Sequence, residues 1–257
     1  MHVYIKSTCF LISFFTSFAS FAHFQTLLPS QDIVSFPQEN KISLTLVFTH
    51  PMEQQPLMEM GEPKQFGVLV NGQKTDLLST LKTVKQQGKT TYATEYSFTE
   101  PNDYIFYLEP APYWEAAENK WIIQYTKVVV SAFDAETGWD NLVGFPVEIE
   151  PLVRPYGVWA GNVFRGIVKK DGQAVPYAKI EVEYWNEYNA VSIPADPFVT
   201  QVIKANAQGE FSYAMPRAGW WGFAAIVDSD TPINSPDRKP AVVEQGGVMW
   251  IQTRDMQ

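Results

Sequence analysis

Short runs in which apolar and polar residues alternate follow one another along most of this chain. "KISLTLVFTH" (41–50) is rich in β-branched residues and repeats every second position, the period of a half-buried strand. "FGVLVNGQKTDL" (66–77) holds two such runs around Asn71-Gly72, a pair that tolerates the positive φ of a two-residue hairpin turn. "TTYATEYSF" (90–98), "DYIFYLEPA" (103–111), "WIIQYTKVVVSAF" (121–133) and "FPVEIEPL" (145–152) continue the series. Only "DLLSTLKTV" (76–84) offers a helical reading, and it is short. The first half therefore predicts an antiparallel β-sandwich.

Two prolines and two glycines in "PLVRPYGVWAGN" (151–162) mark a boundary. Beyond it a second strand series runs through "VFRGIVKKDGQAVPYAKIEVEYWN" and "FVTQVIKANAQGEFSYAMPRAGWWGFAAIVD", with tight turns at Asp171-Gly172 and Gln208-Gly209. This order resembles the small immunoglobulin-like or prealbumin-like module found beside carboxypeptidases and in cell-surface repeats. The expected architecture is all-β: two β-sandwich domains, residues 23–153 and 154–257, the second immunoglobulin-like or prealbumin-like.

The first 22 residues read differently. A basic region ending at Lys6 precedes an apolar stretch of roughly a dozen residues, with Ser20 and Ala22 at −3 and −1 of a cleavage site. That is the layout of a secretory signal peptide (1–22), too short for a spanning helix. Cleavage after Ala22 makes His23 the first residue of the mature chain; cleavage after Ala19, in the same Ser-Phe-Ala context, is the rival. No later segment is long and apolar enough to insert in a membrane. The one cysteine, Cys9, falls inside the leader, so the mature chain has neither thiol nor disulfide and the periplasm is the expected compartment. Loss of Lys6 leaves 18 basic against 28 acidic residues, a net charge of −10, which disfavours nucleic acid and attracts cations.

Composition removes several chemistries. A cysteine zinc site and a cysteine nucleophile are excluded in the mature chain, and no G-x-S-x-G elbow, phosphate loop or dinucleotide fingerprint occurs. His23 and His50 are the only histidines after the leader. A terminal His23 offers its amine, with a pKa of about 7.7–8.0, and its ring Nδ1, which together close a chelate around one metal ion. His50 ends the strand "KISLTLVFTH" and offers a third nitrogen. Nitrogen-rich sites of this kind suit nickel or copper. Two histidines 27 positions apart can equally be unrelated residues. Met52, Met58 and Met60 read as packing before they read as soft-metal ligands. "PYWEAAENKW" (112–121), with Glu115 and Glu118, reads as an aromatic-anchored loop or as the source of a carboxylate ligand.

Five stretches taken together, "AHFQTLLPS", "FTHPMEQQPLMEMGEPKQFGVLVNG", "PYWEAAENKWIIQYTKVVVSAF", "EIEPLVRPYGVWAGNVFRGIV" and "GEFSYAMPRAGWWGFAA", carry a resemblance. In their order the chain resembles the periplasmic NikK-like component of energy-coupling-factor-type nickel/cobalt uptake systems. The resemblance implies a periplasmic protein that binds Ni²⁺, or Co²⁺, through His23 and His50 and passes it to a membrane transporter, without catalysis. Two other classes stay open: a copper-dependent polysaccharide monooxygenase or Cu²⁺-binding protein using the terminal histidine, and a structural or adhesive two-sandwich protein. The last predicts that His23 and His50 lie far apart, beyond about 10 Å, because metal–nitrogen bonds are near 2 Å.

Overall fold

The computed structural model describes residues 23–35 and 40–256, and the expected leader (1–22) lies outside them. The described chain is all-β, with three single 3-10 turns and no helix long and apolar enough to cross a membrane. A central sheet runs in the order Gln201–Lys204, Lys179–Tyr184, Gly219–Asp228, Val243–Arg254, Lys120–Ala132, Asn102–Glu109, Gln65–Val70, Gln73–Asp76. Neighbours along it are antiparallel except at the middle. There Lys120–Ala132 and Val243–Arg254 pair in parallel, from Trp121 opposite Val243 to Val128 opposite Trp250.

Side chains alternate across a strand, so a central sheet faces two cores. Ile105, Tyr107, Val129, Met249 and Ile251 point to one side, where Ile149, Phe164, Val168 and Phe211 of a four-stranded sheet meet them. Phe106, Leu108, Val128, Val130, Val248 and Trp250 point to the other, against Ile42, Leu44, Leu46 and Tyr92 of a second four-stranded sheet. The molecule thus holds two β-sandwiches with one sheet in common. Each core draws residues from both sides of position 153, and Val147–Pro151 pairs with Val163–Lys170 across it.

The turns follow the local chemistry. Asn71 and Gly72 take φ of 49° and 75° and join Val70 to Gln73 in a two-residue hairpin. The helical reading of 76–84 is corrected: it holds a single 3-10 turn, Leu78–Thr80, and then the strand Lys82–Gln86. Asp76 Oδ1 accepts the Leu78 N–H at 2.8 Å and starts the turn. The three leucines 77, 78 and 81 only partly bury against the core, too little for a helical face, while Lys82–Gln86 pairs with Lys89–Ser97.

One polar pair is fully enclosed. Lys127 Nζ meets Glu148 Oε2 at 3.0 Å with both side chains under 5% exposed, and Glu148 also accepts the N–H groups of Val143 and Gly144. Burial pulls the Lys127 ammonium below its ordinary range, opposed by Glu148. Removing one partner strands the other charge. Lys127→Met is expected to cost about 3–5 kcal/mol in urea unfolding, and Lys127→Met with Glu148→Gln to recover a large part of that. A single variant as stable as the parent would show that the pair is not ionised in the folded state.

Candidate metal site

The site starts at the first described residue. Phe24 and Gln25 form a two-residue strand against Phe48 and Thr49, with Phe24 opposite Thr49 and Gln25 opposite Phe48. Continuing that antiparallel register by one step puts His23 opposite His50. The two rings lie 4.7 Å apart, centroid to centroid, at 47°. Phe24 anchors the strand: it is fully buried and its ring is 6.0 Å from that of Trp250. Gly222 makes room for both, since a Cβ there would come within 3.0 Å of each ring.

Gln124, on the long central strand, fixes the backbone beside His23. Its Oε1 accepts the Gln25 N–H at 2.6 Å, and its Nε2 donates to the His23 carbonyl. Trp250 Nε1 donates to the Gln25 carbonyl at 3.0 Å. Chain direction at residue 23 is therefore set from below by buried groups.

Glu115 belongs to the strand Tyr113–Glu115, which folds back on Lys120–Ala132 and brings its Oε2 to 3.0 Å from His23 Nε2. Both side chains are 13% exposed. Tyr113 and Phe48 close the apolar side, their rings 5.8 and 5.7 Å from that of His23. Burial pushes the His23 pKa down to about 4, helped by the charge of His50 and opposed by Glu115 and Glu118. The ring is thus neutral near pH 7, the form that binds a metal. With Nε2 held by a carboxylate, Nδ1 is left as the lone-pair nitrogen, on the side that can chelate with the backbone nitrogen of the same residue.

His50 opens a corner, His50-Pro51-Met52, that the C-terminal half holds. Glu183 Oε2 accepts the Met52 N–H at 3.1 Å; Asn186 donates its side-chain amide to Met52 O and its N–H to Pro51 O. Glu183 is 1% exposed, and burial raises its pKa to about 8 against the opposing hydrogen bonds from Thr200 and Met52.

Of the sequence candidates, the structure brings His23, His50 and Glu115 together. The methionines go elsewhere: Met52, Met58 and Met60 are all buried, the last two in an apolar core, and Met60 sulfur receives the Gln25 amide at 3.8 Å. Trp221 of "GWWGF" also packs in a core. Among the described residues no group of three or more His, Cys, Asp or Glu side chains is disposed to hold a metal ion. A metal ion held by the two imidazoles would need a further donor that is not a side chain of those types. Gln124 was not singled out from the sequence, although a lone amide within "WIIQYTKVVVSAF" was the available signal.

A family model described as "Domain of unknown function (DUF4198)" matches residues 20–229. No curated protein matches the sequence. Among solved structures, the chain is similar to trypsin-activated α2-macroglobulin from Escherichia coli at 9% identity and TM-score 0.26, over 92% of this chain and 16% of that one. It is similar to a tandem of titin domains at 11% identity and TM-score 0.22, over 88% and 66%. A DUF3823 family protein from Bacteroides uniformis gives 12% identity and TM-score 0.22, over 87% and 97%. Likeness at this level carries no argument about activity.

Two expectations follow from the charges around the site. A His23 ring titrating near pH 4 is expected by NMR in the metal-free protein, moving up in His50→Ala and further down in Glu115→Gln; a value near 6.5 in the parent would refute the buried placement. Glu183 has its folded pKa raised from 4.5 to about 8, so the stability it contributes is full below 4.5 and lost as pH rises to 8. Between pH 6.5 and 8 the urea midpoint should fall, and Glu183→Gln should remove that part of the slope.

Proposed function

The chain belongs to the DUF4198 family, a domain of unknown function, and we propose that this member is a periplasmic carrier that binds Ni²⁺, with Co²⁺ as its near substitute, and delivers it to a membrane uptake transporter of the energy-coupling-factor type. The observation that carries the reading is the contact of His23 with His50 across 27 positions, at 4.7 Å between rings. The structural or adhesive reading expected these rings to lie apart.

Export supplies the missing donor. Cleavage after Ala22 converts the His23 backbone nitrogen into an amine that a metal deprotonates near neutral pH. Amine and Nδ1 of His23, with an imidazole nitrogen of His50, make a nitrogen-rich set that suits Ni²⁺ and also Cu²⁺. Glu115 holds the His23 ring in the tautomer and orientation this set requires, and it lends negative charge beside a cation. The net charge of the whole chain, −9, favours capture of a cation from dilute solution. The ion is cargo, and the proposal contains no catalytic step.

Intact mass of the exported protein under non-denaturing conditions tests this. The expected result is a chain starting at His23 that carries one nickel, lost in His50→Ala and weakened about 10–100-fold in Glu115→Gln. One glycine added before His23 in the mature protein should weaken binding at least about tenfold. A chain starting at Ser20, or no bound metal, would overturn the proposal.

A further inference from the structure

A cavity of about 230 Å³ lies in the C-terminal half, with Met52 in one wall. Val182 and Trp221, on adjacent strands of the central sheet, form its floor, and Phe198 and Val199 of the segment 191–199 cover it. Phe198 lines the cavity and is still 54% exposed, so the space opens to solvent at that ring. Two of the lining polar groups are engaged within the protein: the Tyr184 hydroxyl donates to Ala218 O at 3.0 Å, and Gln201 Oε1 accepts from the Tyr213 hydroxyl at 2.9 Å. The charged residue at the rim is Arg217. Arg154, Arg165 and Arg254 are each in an ion pair, whereas Arg217 is in none among the described residues. Two arginines of an acidic protein, Arg217 and Arg238, are thus outside any ion pair among the described residues, and Arg217 is the one that lines an apolar cavity.

We propose that this cavity is a second ligand site, which takes a medium-chain carboxylate with its alkyl chain against Val182, Trp221 and Phe198 and its carboxylate on Arg217. The charge at the rim selects an anionic head, and guanidinium matches carboxylate in geometry as well as charge. The largely apolar walls select an alkyl body, because a polar ligand would lose its water and meet few partners there. The size sets the length. The cavity is below the range of about 300–1,000 Å³ usual for drug-sized ligands, so it fits a single medium-length acyl chain and no sterol or diacyl lipid.

Methionine methyl NMR of the full mature protein reads the site directly, since Met52 lines it and Met52→Leu identifies its signal. Titration with octanoate should give a saturable shift of the Met52 methyl. Along butanoate, hexanoate and octanoate the affinity should rise about fourfold for each added methylene. Arg217→Ala should weaken octanoate at least about tenfold and leave octanol unchanged, because a charge-assisted contact is lost only with the acid. Val191→Trp, in the covering segment, should abolish binding of both while the methyl spectrum of the free protein stays that of a folded chain. No saturable Met52 shift with octanoate would overturn the proposal. Equal losses of octanoate and octanol in Arg217→Ala would overturn its carboxylate part, and unchanged binding in Val191→Trp would place the ligand elsewhere.

Discussion

Parallel pairing of Lys120–Ala132 with Val243–Arg254 is the constraint under which the rest of the molecule is built. This ladder joins residues more than 120 positions apart and makes one sheet of two halves. With neighbours on both edges and a core on both faces, Lys120–Ala132 is buried from Ile122 onward. Parallel strands are found in such places because covering layers bury them on each side. Every polar side chain on it must then find a partner within the protein. Gln124 binds the backbone of residues 23 and 25, Thr126 donates to the Gln124 carbonyl at 3.0 Å, and Lys127 pairs with Glu148. The need to satisfy one buried strand thus produces both the enclosed ion pair and the footing of the histidine site.

Much of this was legible in the residues. Alternation gave the strands between 41 and 152, and Asn71-Gly72 marked its hairpin because positive φ at both positions is a local property. The all-β architecture follows from the same signals. Two things were not legible. A period of two says which side chains share a face but not which strands become neighbours, so the shared sheet had no local trace. Very short strands are the other gap: Phe24–Gln25, Leu28–Pro29 and Ile33–Val34 are two residues each, too short for any period to register, and they exist because distant partners receive them.

The site shows the same division. His23 and His50 stood out because histidine is scarce, and scarcity is a property of sequence. Their proximity depends on a register between Phe24–Gln25 and Phe48–Thr49 that alternation does not specify. Glu115 was visible as an acidic residue in an aromatic loop, but its role needed the fold-back of Tyr113–Glu115 onto the central strand. Gln124 was hidden for a different reason: one amide in an apolar strand can be a defect, a surface position or a clamp, and only the backbone it meets tells which.

His50 also shows why the C-terminal half belongs to the site. Its corner is held by Glu183 and Asn186, which lie beyond residue 153, while the strand at His23 is held by Gln124, which lies before it, and by Trp250, which lies beyond it. Both histidines thus depend on contacts from beyond residue 153, so their 4.7 Å separation belongs to the assembled shared sheet. A metal bound at this point would link them and gain stability from the same contacts that create it, since binding to the folded chain alone shifts the folding equilibrium. The C-terminal strands of the shared sheet are then a support for the site, through Glu183 and Asn186 at the His50 corner and Trp250 beneath His23.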